Sequence, residues 1–163
     1  MATFSKILLS ASSDGRSIPV VATASPGSVV HTGSSTATTY DEVWLYAMNT
    51  HSADVKLTLE WGGTTAPNDL IEITIGAEAG LVLVAPGLLL KGNASTALIV
   101  RAFAATTNVI AIHGYVNQIT AYIKERNEAL EKQFYHPLCM VGGRRAVCNQ
   151  HHCGAVCFAE VTE

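Results

Sequence analysis

Cysteine and histidine residues are concentrated near the end of the sequence, within residues 136–163. Zinc is bound by about four sulfur or nitrogen ligands in a tetrahedron, and small zinc modules take them from short loops. The candidate ligands here are Cys139, Cys148, His151, His152, Cys153 and Cys157. The spacing contains no C-x2-C pair and so differs from a standard zinc finger. One or two disulfides, or free thiols packed against a partner, are therefore alternatives to a bound zinc ion.

The acidic residues of the first part of the chain do not predict a catalytic pair. Asp41 and Glu42 are adjacent at the start of a predicted strand, so their side chains should diverge. Glu60 and Glu72 occupy alternating strand positions that should face solvent. The sequence contains no Gly-x-Ser-x-Gly elbow, phosphate-binding loop or dinucleotide fingerprint. We therefore expect no enzyme activity, and no cofactor other than the zinc considered above.

The composition excludes several broad classes of protein. Charged residues make up only 14% of the 163 residues and hydrophobic residues 48%, which argues against a disordered chain. The formal net charge of −3 gives no general attraction to nucleic acid or to an anionic membrane. The longest uncharged apolar run, residues 80–90, contains Pro86 and is too short to span a bilayer. The first residues do not have the pattern of a signal peptide, so we expect the protein to be made in the cytoplasm.

The shortage of charge belongs to the first part of the chain. Residues 1–118 contain five basic and eight acidic residues, whereas residues 119–163 contain five of each. This shift near Thr120 predicts a β domain in residues 1–119, a helix in 120–135 and a Cys/His-rich arm in 136–163. We expect the charge-poor domain to have part of its surface covered by other subunits.

Residues 1–119 have the pattern of an all-β domain. Residues 55–61 alternate apolar and polar side chains, as in a half-buried strand, and residues 41–49 are apolar on both faces, as in a central strand. Eight or nine such short strands, separated by turn residues, predict an antiparallel β-sandwich of the jelly-roll type. Short links predict three hairpins. They would join 41–49 to 55–61, 70–75 to 80–85, and 97–104 to 108–116.

The segment after the β domain is predicted to be helical. Residues 120–135 are rich in strong helix formers, and Pro137 follows soon after. Ile123, Leu130 and Phe134 fall on one apolar stripe, which we interpret as a partner-binding surface. A helix of about 15 residues is marginal alone in water, so this stripe should lie on the domain itself, a sister subunit or a partner. Arg144 and Arg145, after two glycines, are interpreted as a solvated turn.

Four segments of residues 1–119 are similar to a known class of proteins: DEVWLYAMNT, VKLTLEWGGTTAPNDLIEITI, GLVLVAPGLLLKG and VIAIHGYVNQI. They resemble small virion proteins of tailed bacteriophages that are encoded near the major capsid protein. The resemblance implies a decoration (cement) protein, often a homotrimer, that binds the major capsid protein on the outer surface of the phage head. A head-fibre, neck or tail-associated protein that recognises a receptor or glycan is the alternative. The resemblance does not cover the residues after Thr120.

Overall fold

The computed structural model of the protein describes residues 2–121, 139–141 and 144–146. The chain divides into two compact units, Met1–Tyr122 and Ile123–Glu163. The described residues contain no helix, and every pair of neighbouring strands among them is antiparallel.

Nine strands lie in the described part of the first unit, which confirms the predicted number of strands. Their bounds are β1 (Thr3–Leu8), β2 (Ile18–Pro19), β3 (Ser28–Thr32), β4 (Thr39–Asn49), β5 (Val55–Trp61), β6 (Leu70–Ile75), β7 (Val82–Lys91), β8 (Ile99–Ala104) and β9 (Ile110–Thr120). Because β9 continues to Thr120, the predicted helix does not begin at that residue. Residues 122–135 of the predicted helix lie outside the described residues.

The nine strands form two antiparallel sheets. Sheet A has the order β1-β9-β4-β7, with β2 also paired to β9, and sheet B has the order β3-β8-β5-β6. The strands β5 and β6 are consecutive and paired, whereas β4 and β5, β6 and β7, and β8 and β9 lie in different sheets. The three predicted hairpins are therefore wrong. Alternating side chains specify which face of a strand is buried, but they do not specify which strand lies beside it.

The two sheets share one hydrophobic core, which confirms the predicted antiparallel β-sandwich. On β4 the buried side chains alternate with half-buried ones, and Val43, Leu45 and Ala47 point into the core. Leu57 and Leu59 on β5 enter the same cluster from sheet B. The strand β4 pairs with both β9 and β7, so its prediction as a central strand is also confirmed.

A buried asparagine fixes the chain where it crosses from sheet A to sheet B. Asn49 ends β4, and its amide nitrogen lies 2.9 Å from the carbonyl oxygen of Ala53, 3.1 Å from that of Ile75 and 3.0 Å from that of Gly76. Its amide oxygen accepts a hydrogen bond from the backbone N–H of His51 at 2.9 Å. One side chain therefore connects the β4–β5 link to the end of β6, where the buried carbonyl group of Ile75 needs a donor.

In the second unit, β10 (Cys139–Val141) pairs with β11 (Arg144–Ala146). The register places Val141 opposite Arg144 and Met140 opposite Arg145. The interpretation of Arg144 and Arg145 as a turn is therefore wrong, because both residues belong to a paired strand. Only two residues separate the paired ends, which is the length of the tightest hairpin links.

Candidate docking surface

The outer side of sheet A is apolar because β4 is apolar on both faces. Alternation turns Tyr40, Trp44, Tyr46 and Met48 away from the core, and each is half-buried. The register of β9 places further outward side chains beside them, with Ile119 opposite Tyr40, Tyr115 opposite Trp44 and His113 opposite Tyr46. We call this outward side of β1, β9, β4 and β7 the sheet A face. A sandwich normally turns one side of each sheet to solvent and makes that side polar, so this face is unusual.

A row of neighbouring residues, one from each of β1, β9, β4 and β7, crosses the middle of the sheet A face. The Trp44 and Tyr115 rings are nearly parallel, at 10°, with centroids 6.3 Å apart. On the β1 side, Lys6 Nζ lies 4.3 Å from the centroid of the Tyr115 ring. On the β7 side, Gly87 has a φ of 73°, and a Cβ there would come within 2.9 Å of the Trp44 ring. We call Lys6, Tyr115, Trp44 and Gly87 the ring stack. The strand β1 lies beside the Tyr115 ring, and β7 lies beside the Trp44 ring.

Glu42 fixes the ring stack through hydrogen bonds on the same face. Trp44 Nε1 donates to Glu42 Oε1 at 3.1 Å, and Asn117 Nδ2 donates to Glu42 Oε2 at 3.1 Å. Both carboxylate oxygens are therefore satisfied. Asp41 points the other way, into the buried interior, so the predicted divergence of these two adjacent carboxylates is confirmed.

Large exposed apolar side chains lie on the outermost strands of sheet A. Phe4 and Leu8 on β1, and Leu83 and Leu89 on β7, are 43–72% exposed, and Leu81 just before β7 is exposed as well. Within the described residues, no other strand pairs with the outer edge of β1 or of β7. Unpaired backbone together with exposed apolar side chains favours association with another chain.

Few charges interrupt this surface. Lys6, Glu42 and Lys91 are the charged residues that face outward from the strands of sheet A. Lys91 Nζ lies 5.1 Å from the centroid of the Tyr40 ring, and Lys6 lies over Tyr115, so both cations contact aromatic rings. Burying this face against a partner would therefore require the desolvation of few charges.

The outer side of sheet B is more polar. Lys56 Nζ lies 2.7 Å from Glu72 Oε1, and both side chains are half exposed, so the pair contributes at most about 1 kcal/mol. The prediction that Glu72 faces solvent is confirmed. Because the two outer sides differ in this way, sheet A is the better candidate for a docking surface.

Glu60 does not face solvent, and that prediction is wrong. The side chain is fully buried, and its Oε2 accepts a hydrogen bond from the backbone N–H of Gly27 at 2.8 Å. Its Oε1 is buried without a hydrogen-bond partner among the described residues. Gly27 lies against the backbone of Ala102 on β8, where a Cβ would clash, so the β2–β3 link covers this part of sheet B. Period-two alternation along β5 contains no information about a distant link that covers its outer side.

A second buried polar group, His31 with Asp41, was not identified by the sequence analysis because the two residues are ten positions apart on different strands. His31 Nε2 lies 3.4 Å from Asp41 Oδ2, and burial lowers the pKa of His31. The other ring nitrogen accepts a hydrogen bond from the backbone N–H of Ser10 at 3.2 Å. A catalytic triad places a nucleophilic hydroxyl or thiol at that nitrogen, so this pair does not have the geometry of one.

Most of the predicted site residues in the second unit lie outside the described residues. Cys139 belongs to β10, but Cys148, His151, His152, Cys153 and Cys157 are not described, nor are Ile123, Leu130 and Phe134. Zinc, disulfide and thiol states of the cysteines therefore all stay predictions. Within the described part of the chain, no three His, Cys, Asp or Glu residues are grouped so as to hold a metal ion. The same part contains no helix long and apolar enough to cross a membrane.

No protein-family model, curated protein or solved structure matches this chain. The resemblance of residues 1–119 to phage virion proteins is therefore a hypothesis, and the geometry of sheet A carries the functional argument.

Proposed function

We propose that this chain is a structural virion protein that decorates the outer surface of a phage head. In this proposal it is a homotrimer that binds the major capsid protein and stabilises the assembled shell. The observation that supports it most is the sheet A face, with its exposed apolar side chains at both edges and its three outward charges. Such a surface is suited to permanent contact with protein subunits.

The proposed mechanism is selective binding to one state of the shell. A protein that binds the assembled shell, and not its separate subunits, stabilises that shell by mass action. Several weak contacts for each trimer, repeated over a lattice, add through avidity. No catalytic group is needed for this activity.

We interpret the strand order as a jelly roll, which is a fold of many capsid proteins. If the two-residue strand β2 is left out, the remaining eight strands can be numbered one to eight in chain order. Sheet A then has the order 1-8-3-6 and sheet B the order 2-7-4-5. The chain changes sheet at nearly every link, so each sheet contains strands from both ends of the domain. Sheet A is therefore built from distant parts of the sequence.

The ring stack favours a protein partner over a glycan. Sugars usually bind to the open face of an aromatic ring, where C–H groups can stack. The Trp44 and Tyr115 rings are nearly parallel with centroids 6.3 Å apart, Lys6 Nζ lies over Tyr115, and β7 passes beside Trp44 at Gly87, so part of each ring is already covered by neighbouring residues. A head-fibre, neck or tail-associated receptor-binding protein is therefore the less supported alternative.

Copy number and shell stability test this proposal. We expect hundreds of copies of the protein in each purified particle of the phage that encodes it, measured on a stained gel against the major capsid protein. We also expect shells without the gene product to lose stability to heat and osmotic shock. A few copies in each particle would favour the receptor-binding alternative, and stable shells with no co-sedimenting protein would contradict both functions.

A further inference from the structure

His31 and Asp41 form a buried pair between the two sheets. His31 lies on β3 of sheet B and Asp41 on β4 of sheet A, and their exposed fractions are 2% and 1%. Asp41 accepts hydrogen bonds from the backbone N–H of Ser34 at 2.8 Å and from Gln118 Nε2 at 3.0 Å. It also lies 3.4 Å from His31 Nε2. The carboxylate is therefore held from two sides, by β3 with the link that follows it and by β9.

The second ring nitrogen of His31, Nδ1, accepts a hydrogen bond from the backbone N–H of Ser10 in the link between β1 and β2. Because Nδ1 accepts the Ser10 N–H, the neutral ring must carry its proton on Nε2, which then donates to Asp41. Ser10 is held a second time, since its Oγ accepts the N–H of Thr32 at 2.7 Å. The next residue, Ala11, donates its N–H to the carbonyl oxygen of Val30 at 3.3 Å. The beginning of the β1–β2 link is thus attached to β3.

We propose that His31 is a pH-sensitive latch that holds the β1–β2 link on β3 and opens when its ring is protonated. The second proton must bind to Nδ1, because Nε2 already carries one. The Nδ1 atom then becomes a donor that faces the N–H of Ser10, so the hydrogen bond between them is lost. The neighbours of the ring are Ser10 from the link, Val100 opposite on β8, and Asp41 on β4. Asp41 is the charged group among them, and Gln118, which contacts Asp41 from β9, is neutral.

The direction of the pH effect follows from the burial of the ring. Burial lowers the pKa of His31, while the hydrogen bond and the charge of Asp41 oppose this shift without cancelling it. Well above pH 6.5 the ring is neutral in both the folded and the unfolded chain, so it adds no pH dependence to the stability there. Below pH 6.5 the unfolded chain binds a proton that the folded chain does not. The unfolding equilibrium constant therefore rises by up to about tenfold for each pH unit, until the folded ring is also protonated.

The local consequence is a looser edge of sheet A. The strand β1 pairs with β9 alone among the described strands, and it exposes Phe4 and Leu8. When Ser10 loses its acceptor, the link that follows β1 loses part of its attachment to β3. We therefore expect the amides of Ser10 and Ala11 to lose protection before the rest of the domain unfolds.

The pH dependence of unfolding in His31→Gln tests the latch. Glutamine can accept the Ser10 N–H and donate to Asp41, but it does not titrate. His51→Gln is a matched control, because His51 Nδ1 also accepts a backbone N–H, from Ala53 at 3.1 Å, in a half-buried turn. Urea unfolding of the full chain is measured at pH 7.5 and pH 5.5. We expect the unfolding constant of the wild type and of His51→Gln to rise more between these conditions than that of His31→Gln, by a factor of up to about ten. Equal pH dependence in all three proteins would overturn the proposal.

A measurement on the wild-type protein covers the case in which His31→Gln does not fold. In NMR spectra of the full chain, we expect the neutral His31 ring to carry its proton on Nε2, and we expect the second proton to bind only below pH 6.5. We also expect the protection factor of the Ser10 amide to fall as the His31 ring is protonated. A His31 ring that titrates near pH 6.5, with unchanged protection of Ser10, would contradict the latch.

Discussion

Two residues, a buried asparagine and a glycine, each support a feature of the fold that no neighbouring residue provides. Asn49 satisfies buried carbonyl groups where the chain changes sheet, and Gly87 provides the left-handed backbone that β7 needs beside Trp44. Neither residue was singled out by composition or periodicity. Their importance comes from contacts with residues that are distant in sequence.

We expect Asn49→Ala to destabilise the domain by about 2–4 kcal/mol, because it removes the donor from the buried carbonyl group of Ile75 and from the partly buried ones of Ala53 and Gly76. Urea unfolding measures the change. Asn68→Ala is the control, since Asn68 is exposed in the β5–β6 link, and its effect should stay within about 0.5 kcal/mol. Equal effects of the two substitutions would show that the Asn49 contacts do not support the crossing between sheets.

Gly87→Ala should destabilise the domain by about 1–3 kcal/mol, because the residue has a positive φ and its Cβ would press on the Trp44 ring. Gly80→Ala is the matched control, since nothing lies within 4 Å of a Cβ there. We expect that variant to be neutral or slightly more stable. Thermal unfolding and the near-ultraviolet circular dichroism of the aromatic rings would reveal the difference, and unchanged spectra for Gly87→Ala would contradict the ring stack.

For the strands, the sequence predicted where each strand lies along the chain better than it predicted which strands pair with each other. The patterns placed β4 and β5 correctly, and the two apolar faces of β4 correctly indicated a central strand, whereas the strand predicted at residues 80–85 continues to Lys91 in the structure. The hairpins were wrong because a short link can either turn back within one sheet or cross to the other. Asn49 directs the β4–β5 link across the core, through hydrogen bonds to the end of β6 that no local pattern contains.

The candidate surface was predicted only in part. The low charge of residues 1–118 led us to expect that part of the surface of the β domain is covered by other subunits, and the sheet A face is the candidate for that surface. The location of this face on sheet A depends on the pairing of β9 with β4 and β1. These strands are far apart in the sequence, so local patterns do not reveal that they pair. Glu60 was misplaced for a similar reason, because the β2–β3 link that buries it is more than 30 residues away.

Two leucines on opposite sides of sheet A test the layer assignment. Leu45 points into the core from β4, whereas Leu89 is 58% exposed on β7. We expect Leu45→Ala to cost about 2–5 kcal/mol, because it leaves a cavity in the core. Leu89→Ala should change stability by less than about 1 kcal/mol in the isolated protein. Denaturant unfolding of both variants decides between this arrangement and one in which the outer face of sheet A is the core.

For the whole molecule, the two outer sides of the sandwich have different chemistry. Sheet B carries the Lys56–Glu72 ion pair on its outer side, whereas sheet A carries aromatic and aliphatic side chains. A domain with this asymmetry can stay soluble through one side and bind through the other. In the proposed decoration function, sheet A contacts the other subunits and the shell.

The central claim is that the sheet A face makes these contacts, and binding of purified protein to phage shells that lack it is the most direct test. Phe4→Glu and Leu89→Glu place a charge on the two edges of sheet A, and Val21→Glu is the control, because Val21 is 53% exposed outside this face. We expect all three variants to fold, and we expect the two edge variants to lose at least tenfold in the amount of protein bound to each shell. The control should bind like the wild type. Equal binding by all four proteins would contradict the account.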